Sequence, residues 1–242
     1  MQNAIKVDLW FWQLDQPAAD VTRWYEHLNG DERARMARFV FDRDQTRYTI
    51  CRSRMRRILG QYTRTAPRDI AFVATGRDKP ALAPPNPQQV EFNLTHTDGL
   101  ACLAVTHGVA IGVDLERRRP VEDKFIAFAL NPAECDRVTA PGVAREAAFF
   151  RYWTAKEAYL KSIGTGLWQS LKSFDVDVPL AQQGKLAFTR CGLPRIDEAD
   201  QRTQHWHLYS FVATDHHIGA VALAPPDGTT VNIRTRWLGI DK

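Results

Sequence analysis

The chain has 242 residues, of which 44% are hydrophobic and 25% are charged, and its formal net charge is +4. This length suits one large domain or two small ones, and the composition is ordinary for a globular protein. No apolar run reaches the ~18 residues that a membrane span needs, and the first residues lack the apolar stretch of a signal peptide, so we expect a cytoplasmic protein with no membrane partner.

The first half of the chain reads as a strand, two helices and a run of strands. We predict strands at 7–14, 70–73, 90–94, 101–106 and 110–116, a short helix at 20–28, a long helix from the cap Asp42 to about Tyr62, and a proline-rich loop at 75–87. Apolar residues recur at helical spacing along the long helix and form one stripe: Cys51, Met55, Ile58, Leu59 and Tyr62.

The second half repeats the order of helices followed by strands. We predict helices at 121–130 and 142–163 and strands at 174–178, 185–189, 205–213 and 218–224, with the tail after Pro225 unassigned. The segment 117–120 (RRRP) breaks the pattern, so we place a boundary there and expect an N-terminal half, 1–117, and a C-terminal half, 118–242. Helices that lead into antiparallel strands favour an α+β fold.

Arginine is concentrated in one segment of the first half. Residues 31–68 contain eleven arginines and only four acidic residues. Such a field attracts phosphates or an acidic protein, and the alternative is a solvated helix face. Nucleic-acid binding is not expected, because Tyr48 is the only aromatic residue among the arginines of 42–60.

Zinc and dithiol chemistry are not expected either. The four cysteines lie far apart, at 51, 102, 135 and 191, and none forms a Cys-x-x-Cys pair. The two histidine pairs, 205/207 and 216/217, are accompanied by no cysteine or carboxylate pattern.

Glu157 is the first candidate for a functional residue. On the predicted helix it projects into an arc of apolar side chains: Phe149, Phe150, Trp153 and Leu160. A buried carboxylate is costly unless it is paired, protonated or bound to a cation. Lys161 lies one turn further along the same face, and a simple Glu157–Lys161 pair is the alternative to a functional site.

The pentapeptide 112–116 (GVDLE) supplies two more carboxylates. Side chains alternate along a strand, so Asp114 and Glu116 share one face. Neighbouring carboxylates repel unless a cation lies between them, and Mg²⁺ prefers a small number of protein oxygens beside water and phosphate oxygens. An ordinary polar strand end before a turn is the alternative.

Two further segments offer donors for phosphate oxygens. Residues 92–99 (FNLTHTDG) run from a strand into a turn and contain Asn93, Thr95 and His96, although a capped turn explains them equally well. Residues 76–80 (GRDKP) form a basic loop that lacks the Gly-Lys-Ser/Thr of a Walker loop.

Taken in order, these segments resemble the Sfp-type 4'-phosphopantetheinyl transferases. The most specific part is GVDLE followed by residues 153–167 (WTAKEAYLKSIGTGL), and residues 38–44 (RFVFDRD) also fit. The resemblance covers about 30–174. It implies a 4'-phosphopantetheinyl transferase fold of two similar α+β halves with the active site between them, in a single-chain monomer.

The resemblance implies roles for individual residues. Asp114, Glu116 and Glu157 would hold Mg²⁺ together with the pyrophosphate of coenzyme A. Lys161 would contact the phosphate and help the leaving group. The phosphates of coenzyme A would be bound by Arg35, Lys79 and His96, with Arg77, Asn93 and Thr95 as further contacts.

The resemblance also implies a reaction. A serine of an apo acyl- or peptidyl-carrier protein would attack the β-phosphate of coenzyme A, and 3',5'-ADP would leave. Glu157 would take the serine proton, directly or through a water molecule. The sequence departs from the family at Thr95, where Ser is common, and at Asp78, where Gly usually precedes Lys-Pro. The alternative is a non-catalytic coenzyme A or nucleotide-binding protein on the same fold, which would not need all three carboxylates.

Overall fold

The computed structural model describes residues 4–16, 21–75, 79–164, 169–180, 184–196 and 206–239. The elements of the first half are β1 (Ala4–Gln13), α1 (Val21–Tyr25), α2 (Gly30–Met36), α3 (Asp42–Thr63), β2 (Phe72–Thr75), β3 (Lys79–Leu82), β4 (Val90–Thr97), β5 (Leu100–His107) and β6 (Ile111–Arg117). The elements that follow are α4 (Asp123–Ala129), α5 (Pro132–Thr139), α6 (Arg145–Ile163), β7 (Phe174–Asp177), β8 (Thr189–Arg190), β9 (Gly192–Ile196), β10 (His207–Thr214), β11 (His217–Leu223) and β12 (Thr230–Leu238). The expected α+β class is confirmed.

Two four-stranded sheets form the centre of the fold. The first has the strand order β12-β1-β5-β4 and the second has the order β6-β11-β10-β8. β1 and β12 are parallel, whereas the other pairs in these sheets are antiparallel. The parallel strand β12 lies in the tail after Pro225, which the sequence left unassigned.

The two sheets pack against each other between two helices. Met55 of α3 packs with Phe92 on one face of the first sheet. The inner faces of both sheets share a core that contains Phe11, Cys102, Val113, Phe211 and Val221. The outer face of the second sheet packs on α6 through a cluster that contains Tyr152, Leu160 and Ala220. The layers are thus α3, first sheet, second sheet and α6.

The sheets do not divide the chain at residue 117. β6 pairs with β11 in the second sheet, and β12 returns to pair with β1 in the first. The reason is burial: Ile111, Val113 and Leu115 of β6 all enter the core that the sheets share. The halves 1–117 and 118–242 stay a prediction.

Several elements escaped the sequence analysis. Two short helices, α2 and α5, begin at the capping boxes Asn29/Glu32 and Asn131/Glu134, and that spacing is the signal that could have revealed them. The predicted loop 75–87 contains β3, and the predicted strand 185–189 is reduced to a bridge at residue 185 and the start of β8. Residues 20 and 205, at the ends of two predicted elements, lie outside the described residues.

The long helix matches the prediction in extent and in its buried stripe, but not in its start. Its N-cap is Phe41, which makes no side-chain capping bond, and Asp42 is the first helical residue. Among the helices described, none is long and apolar enough to cross a bilayer. The four cysteines are free thiols.

Three arginines of α3 point inward. Arg56 is fully buried and its Nε lies 2.5 Å from Glu32 Oε2. Arg52 lies 2.7 Å from the other oxygen of Glu32, and Arg54, 1% exposed, donates to a main-chain carbonyl. Arg52 and Arg56 thus join α3 to Glu32 of α2, and Arg54 bonds to the Gly239 carbonyl, so none of the three belongs to an exposed basic field.

A buried ion pair fixes α6 to the elements around it. Lys156 Nζ lies 2.6 Å from Glu134 Oε2, and the side chains are 0% and 3% exposed. Lys156 also donates to the carbonyls of Leu171 and Phe174, at 2.6 and 2.8 Å. Glu134 Oε1 accepts from the amide of Val176 at 3.2 Å. The pair therefore ties α6 to α5 and to β7.

Lys156→Met should destabilise the protein strongly. The substitution keeps the length of the side chain but leaves the Glu134 carboxylate buried without its cation, which costs about 3–5 kcal/mol. Urea unfolding would measure the change. Lys172→Met is the matched control, because Lys172 is exposed and should change the free energy of unfolding by less than about 0.5 kcal/mol. Equal, small effects of the two substitutions would show that the pair does not stabilise the fold.

Candidate functional site

The edge strands of the two sheets, β4 and β6, lie side by side, and we call this contact the junction. Successive side chains of a strand point to opposite faces, so every second side chain of β4 can reach β6. The successive contacts are Asn93 Oδ1 to the Val113 amide (2.9 Å), Thr95 Oγ1 to Asp114 Oδ1 (3.3 Å) and Thr97 Oγ1 to Glu116 Oε2 (3.5 Å). Side chains thus link two sheets whose main chains are not paired here.

α6 lies close to β6 because Gly112 has no side chain. A Cβ atom at this position would lie 2.1 Å from the Ala158 carbonyl oxygen and 2.5 Å from the Ser162 amide nitrogen. The close approach holds Glu157 and Lys161 of the helix against the carboxylates of the strand. The glycine of GVDLE therefore has a packing role that brings two of the motifs together.

Lys161 is the cation of the junction. Its Nζ lies 2.6 Å from Asp114 Oδ1 and 3.4 Å from Thr95 Oγ1. Burial disfavours the charge on Lys161, but the carboxylates of Asp114, Glu157 and Glu116 outweigh burial and raise the pKa of Lys161. The lysine is therefore charged at neutral pH, and the carboxylate that it contacts directly is Asp114.

Glu157 and Asp114 each keep a buried carboxylate oxygen without a hydrogen-bond partner among the described residues. They are 8% and 4% exposed. Burial, followed by the charge of Asp114, raises the pKa of Glu157 to about 7 against the opposing charge of Lys161. Burial and Asp114 also raise the pKa of Glu116. Such orphaned oxygens are unfavourable unless a ligand completes the site.

The donor set suits the magnesium ion that the resemblance implies. Mg²⁺ binds oxygen, usually through one or two protein carboxylates, and fills its remaining positions with water and substrate phosphates. Within the parts of the chain that the structure describes, no three His, Cys, Asp or Glu side chains converge closely enough to hold an ion by themselves. Because Mg²⁺ takes phosphate oxygens as ligands, it does not require such a group.

Lys79 and His96 lie near the junction. Lys79 Nζ donates to the Ile111 carbonyl at 2.8 Å, at the start of β6. His96 lies at the end of β4 with part of its ring exposed. Desolvation by its neighbours, followed by the charges of Lys161 and Arg47, lowers the pKa of His96, so the imidazole lies within the field of both cations.

Arg35 lies apart from the junction. It is exposed on α2, with its guanidinium 5.8 Å from the ring centre of Tyr48, and none of the described contacts joins it to the Asp114–Lys161 pair. Arg77 lies outside the described residues, as does Asp78. The role of Arg35 as a phosphate contact stays a prediction.

Two residues that were not among the predicted site residues contact Glu116. Thr97 contacts it from β4, and Arg119 Nη1 lies 3.2 Å from Glu116 Oε2. The guanidinium of Arg119 also lies over the ring of Phe150, 5.0 Å from its centre. The sequence spacing could have indicated both contacts. Thr97 shares a strand face with Thr95, and Arg119 follows Glu116 by three residues.

Known families match both parts of the chain. Residues 110–222 match the 4'-phosphopantetheinyl transferase superfamily, and residues 14–108 match the 4'-phosphopantetheinyl transferase N-terminal family. The two matches meet just before β6. Together they include Asp114, Glu116, Glu157 and Lys161 of the junction and its partners from β4.

Curated relatives match over most of the chain. The chain is 33% identical to the 4'-phosphopantetheinyl transferase HetI of Nostoc sp., over 90% of this chain and 88% of the relative. It is 27% identical to a putative 4'-phosphopantetheinyl transferase of Synechocystis sp., over 84% and 78%. It is also 27% identical to the L-aminoadipate-semialdehyde dehydrogenase-phosphopantetheinyl transferase of Mus musculus, over 84% and 69%.

Gly112→Ala should displace α6 from β6. The added methyl would overlap two main-chain atoms, which cannot move without the helix, and overpacking of this kind costs about 1–3 kcal/mol. Thermal unfolding would measure the loss. Gly30→Ala is the control, because no atom lies within 4 Å of its Cβ position. If the two variants unfolded at the same temperature, the contact at Gly112 would not constrain the site.

Proposed function

The chain belongs to the 4'-phosphopantetheinyl transferase superfamily, and we propose that it transfers the 4'-phosphopantetheine arm of coenzyme A to a serine of an acyl- or peptidyl-carrier protein, with Mg²⁺ as cofactor and 3',5'-ADP as product. The observation that carries this proposal is the junction, where Lys161 lies 2.6 Å from Asp114 beside two buried carboxylate oxygens that have no hydrogen-bond partner among the described residues. These residues stand at the positions of the family motifs.

We assign the metal ligands to Asp114, Glu116 and Glu157. When bound, Mg²⁺ would neutralise charge on the pyrophosphate of coenzyme A. The assignment is supported by the oxygens of Asp114 and Glu157 that have no hydrogen-bond partner among the described residues, since one metal ion could bind both. It is also supported by Thr97, which orients Glu116 through its hydroxyl.

Lys161 has the charge and position to assist the leaving group. As the serine oxygen bonds to the β-phosphorus, negative charge develops on the oxygen that departs with 3',5'-ADP, and a fixed cation stabilises that charge. The contacts of Lys161 with Asp114 and Thr95 hold the ammonium group at the junction, from where it can turn to a phosphate when coenzyme A binds.

Glu157 is our candidate for the general base. A base must lie within hydrogen-bond reach of the hydroxyl proton, or reach it through one water. The carboxylate of Glu157 has an oxygen that accepts no hydrogen bond from the described residues. The Glu157 carboxylate would take up the serine proton directly, or through a water molecule that the serine hydroxyl protonates.

Lys79 and His96, which lie near β6 and Lys161, would bind the remaining phosphates of coenzyme A. A bond from the charged Lys79 contributes about 1.5–3 kcal/mol, and His96 offers a ring N–H donor. Asn93 uses its carbonyl oxygen to bind β6, which leaves the amide NH₂ as the donor for a ligand. Arg35, on the surface of α2, would reach only a distant part of coenzyme A, such as the 3'-phosphate.

Transfer to an apo-carrier should require both coenzyme A and Mg²⁺. Intact-mass spectrometry would detect the gain of one phosphopantetheine on a panel of apo-carriers. Asp114→Asn and Glu157→Gln should each lower turnover by about a hundredfold or more, since a metal contributes several kcal/mol of transition-state stabilisation.

Asp136→Asn is the control for these variants, because Asp136 is an exposed acid on α5, and its turnover should match the wild type. A folded wild-type protein that binds coenzyme A but modifies no carrier would favour the non-catalytic alternative. Near-normal turnover of Asp114→Asn at saturating Mg²⁺ would remove Asp114 from the ligand set.

A further inference from the structure

We propose that Arg119 is an internal counter-ion of Glu116 that exchanges Glu116 for a coenzyme A phosphate when the divalent cation binds. Metal and coenzyme A would then bind cooperatively, each raising the affinity of the other. The inference rests on the proposed function, because it takes Glu116 as a metal ligand.

Arg119 is held against the site by three contacts, one of which is a bond from its Nη1 to the Arg117 carbonyl at 3.2 Å. Its Nη1 lies 3.2 Å from Glu116 Oε2, the oxygen that also accepts from Thr97. Its guanidinium lies 5.0 Å from the ring centre of Phe150, which belongs to α6 and is buried. The side chain of Glu116 is 21% exposed and that of Arg119 is 55% exposed. The arginine thus covers the carboxylate on its solvent side.

Asp114, like Glu116, forms an ion pair with a cationic side chain of the same chain. Lys161 bonds to one of its oxygens, so two of the three assigned ligands each carry a positive partner within the chain. A divalent cation that approaches the free protein is repelled by both cations, and it competes with them for Asp114 and Glu116. We therefore expect the free protein to bind the metal weakly.

Bound coenzyme A would reduce this competition between the metal ion and the two cationic side chains. Its phosphates give the two displaced cations new anionic partners, and charge-assisted bonds to phosphate are strong. Because Arg119 is half exposed, it can turn outward, and its planar guanidinium suits two phosphate oxygens at once. The coupling is reciprocal, so coenzyme A and metal must raise each other's affinity by the same factor.

Binding of Mn²⁺, followed by electron paramagnetic resonance with and without coenzyme A, tests the proposal without any turnover. In the absence of coenzyme A, Arg119→Gln should bind Mn²⁺ about three- to fivefold more tightly than the wild type, as expected for loss of a partly exposed ion pair of up to about 1 kcal/mol. The factor by which coenzyme A tightens Mn²⁺ binding should fall by a similar amount.

Arg118→Gln is the matched control, because it removes the same charge from the next residue, whose side chain donates instead to the Asp215 carbonyl. It should leave both quantities close to the wild type. Equal shifts in the two variants would mean a general charge effect, and no shift in Arg119→Gln would mean that Arg119 does not compete with the metal; either result overturns the inference.

Mn²⁺ binding to Asp114→Asn shows whether a negative result concerns the role of Arg119 or the proposed metal site itself. If Mn²⁺ binding weakens in Asp114→Asn but does not respond to Arg119→Gln, only the role of Arg119 is wrong. If the wild type binds no Mn²⁺ with or without coenzyme A, the metal site is wrong, and the inference falls with it.

Discussion

The site depends on one backbone contact, between Gly112 of β6 and the last turns of α6. Any side chain at this position would overlap the Ala158 carbonyl, so the strand and the helix can approach only at a glycine. The approach brings Asp114 and Lys161 within 2.6 Å of each other. Had the helix been held further out by a larger residue, the buried carboxylates would lie in the core without a cation, at a cost of several kcal/mol.

Two carboxylates of the junction form an ion pair with a cation of the chain, and Glu157 forms none with the described residues. Lys161 serves Asp114 and Arg119 serves Glu116, whereas Glu157 keeps a buried oxygen that makes no bond to the described residues. A protein under selection for stability alone would replace Glu157 with an apolar side chain, since its neighbours on α6 are apolar and buried. The unfavourable arrangement is explained if the site is completed by a bound cation and a phosphorylated substrate.

Sequence periodicity was sufficient to predict on which face of its own strand or helix each carboxylate of the junction lies. The period of two placed Asp114 and Glu116 on one strand face, and the helical period placed Glu157 among apolar residues that the structure shows to be buried. Non-local contacts could not be foreseen in this way. The inward arginines of α3 depend on Glu32 of another helix, and the parallel pairing of β12 with β1 depends on residues more than two hundred positions apart.

Anomalous diffraction from Mn²⁺ in crystals grown with coenzyme A tests most directly whether the junction is the reaction centre. We expect a single strong peak within bonding distance of carboxylate oxygens of Asp114, Glu116 and Glu157, with the pyrophosphate as a further ligand and Lys161 turned from Asp114 to a phosphate. A peak on another surface, with Lys161 still bonded to Asp114 and coenzyme A bound away from β6, would contradict the account.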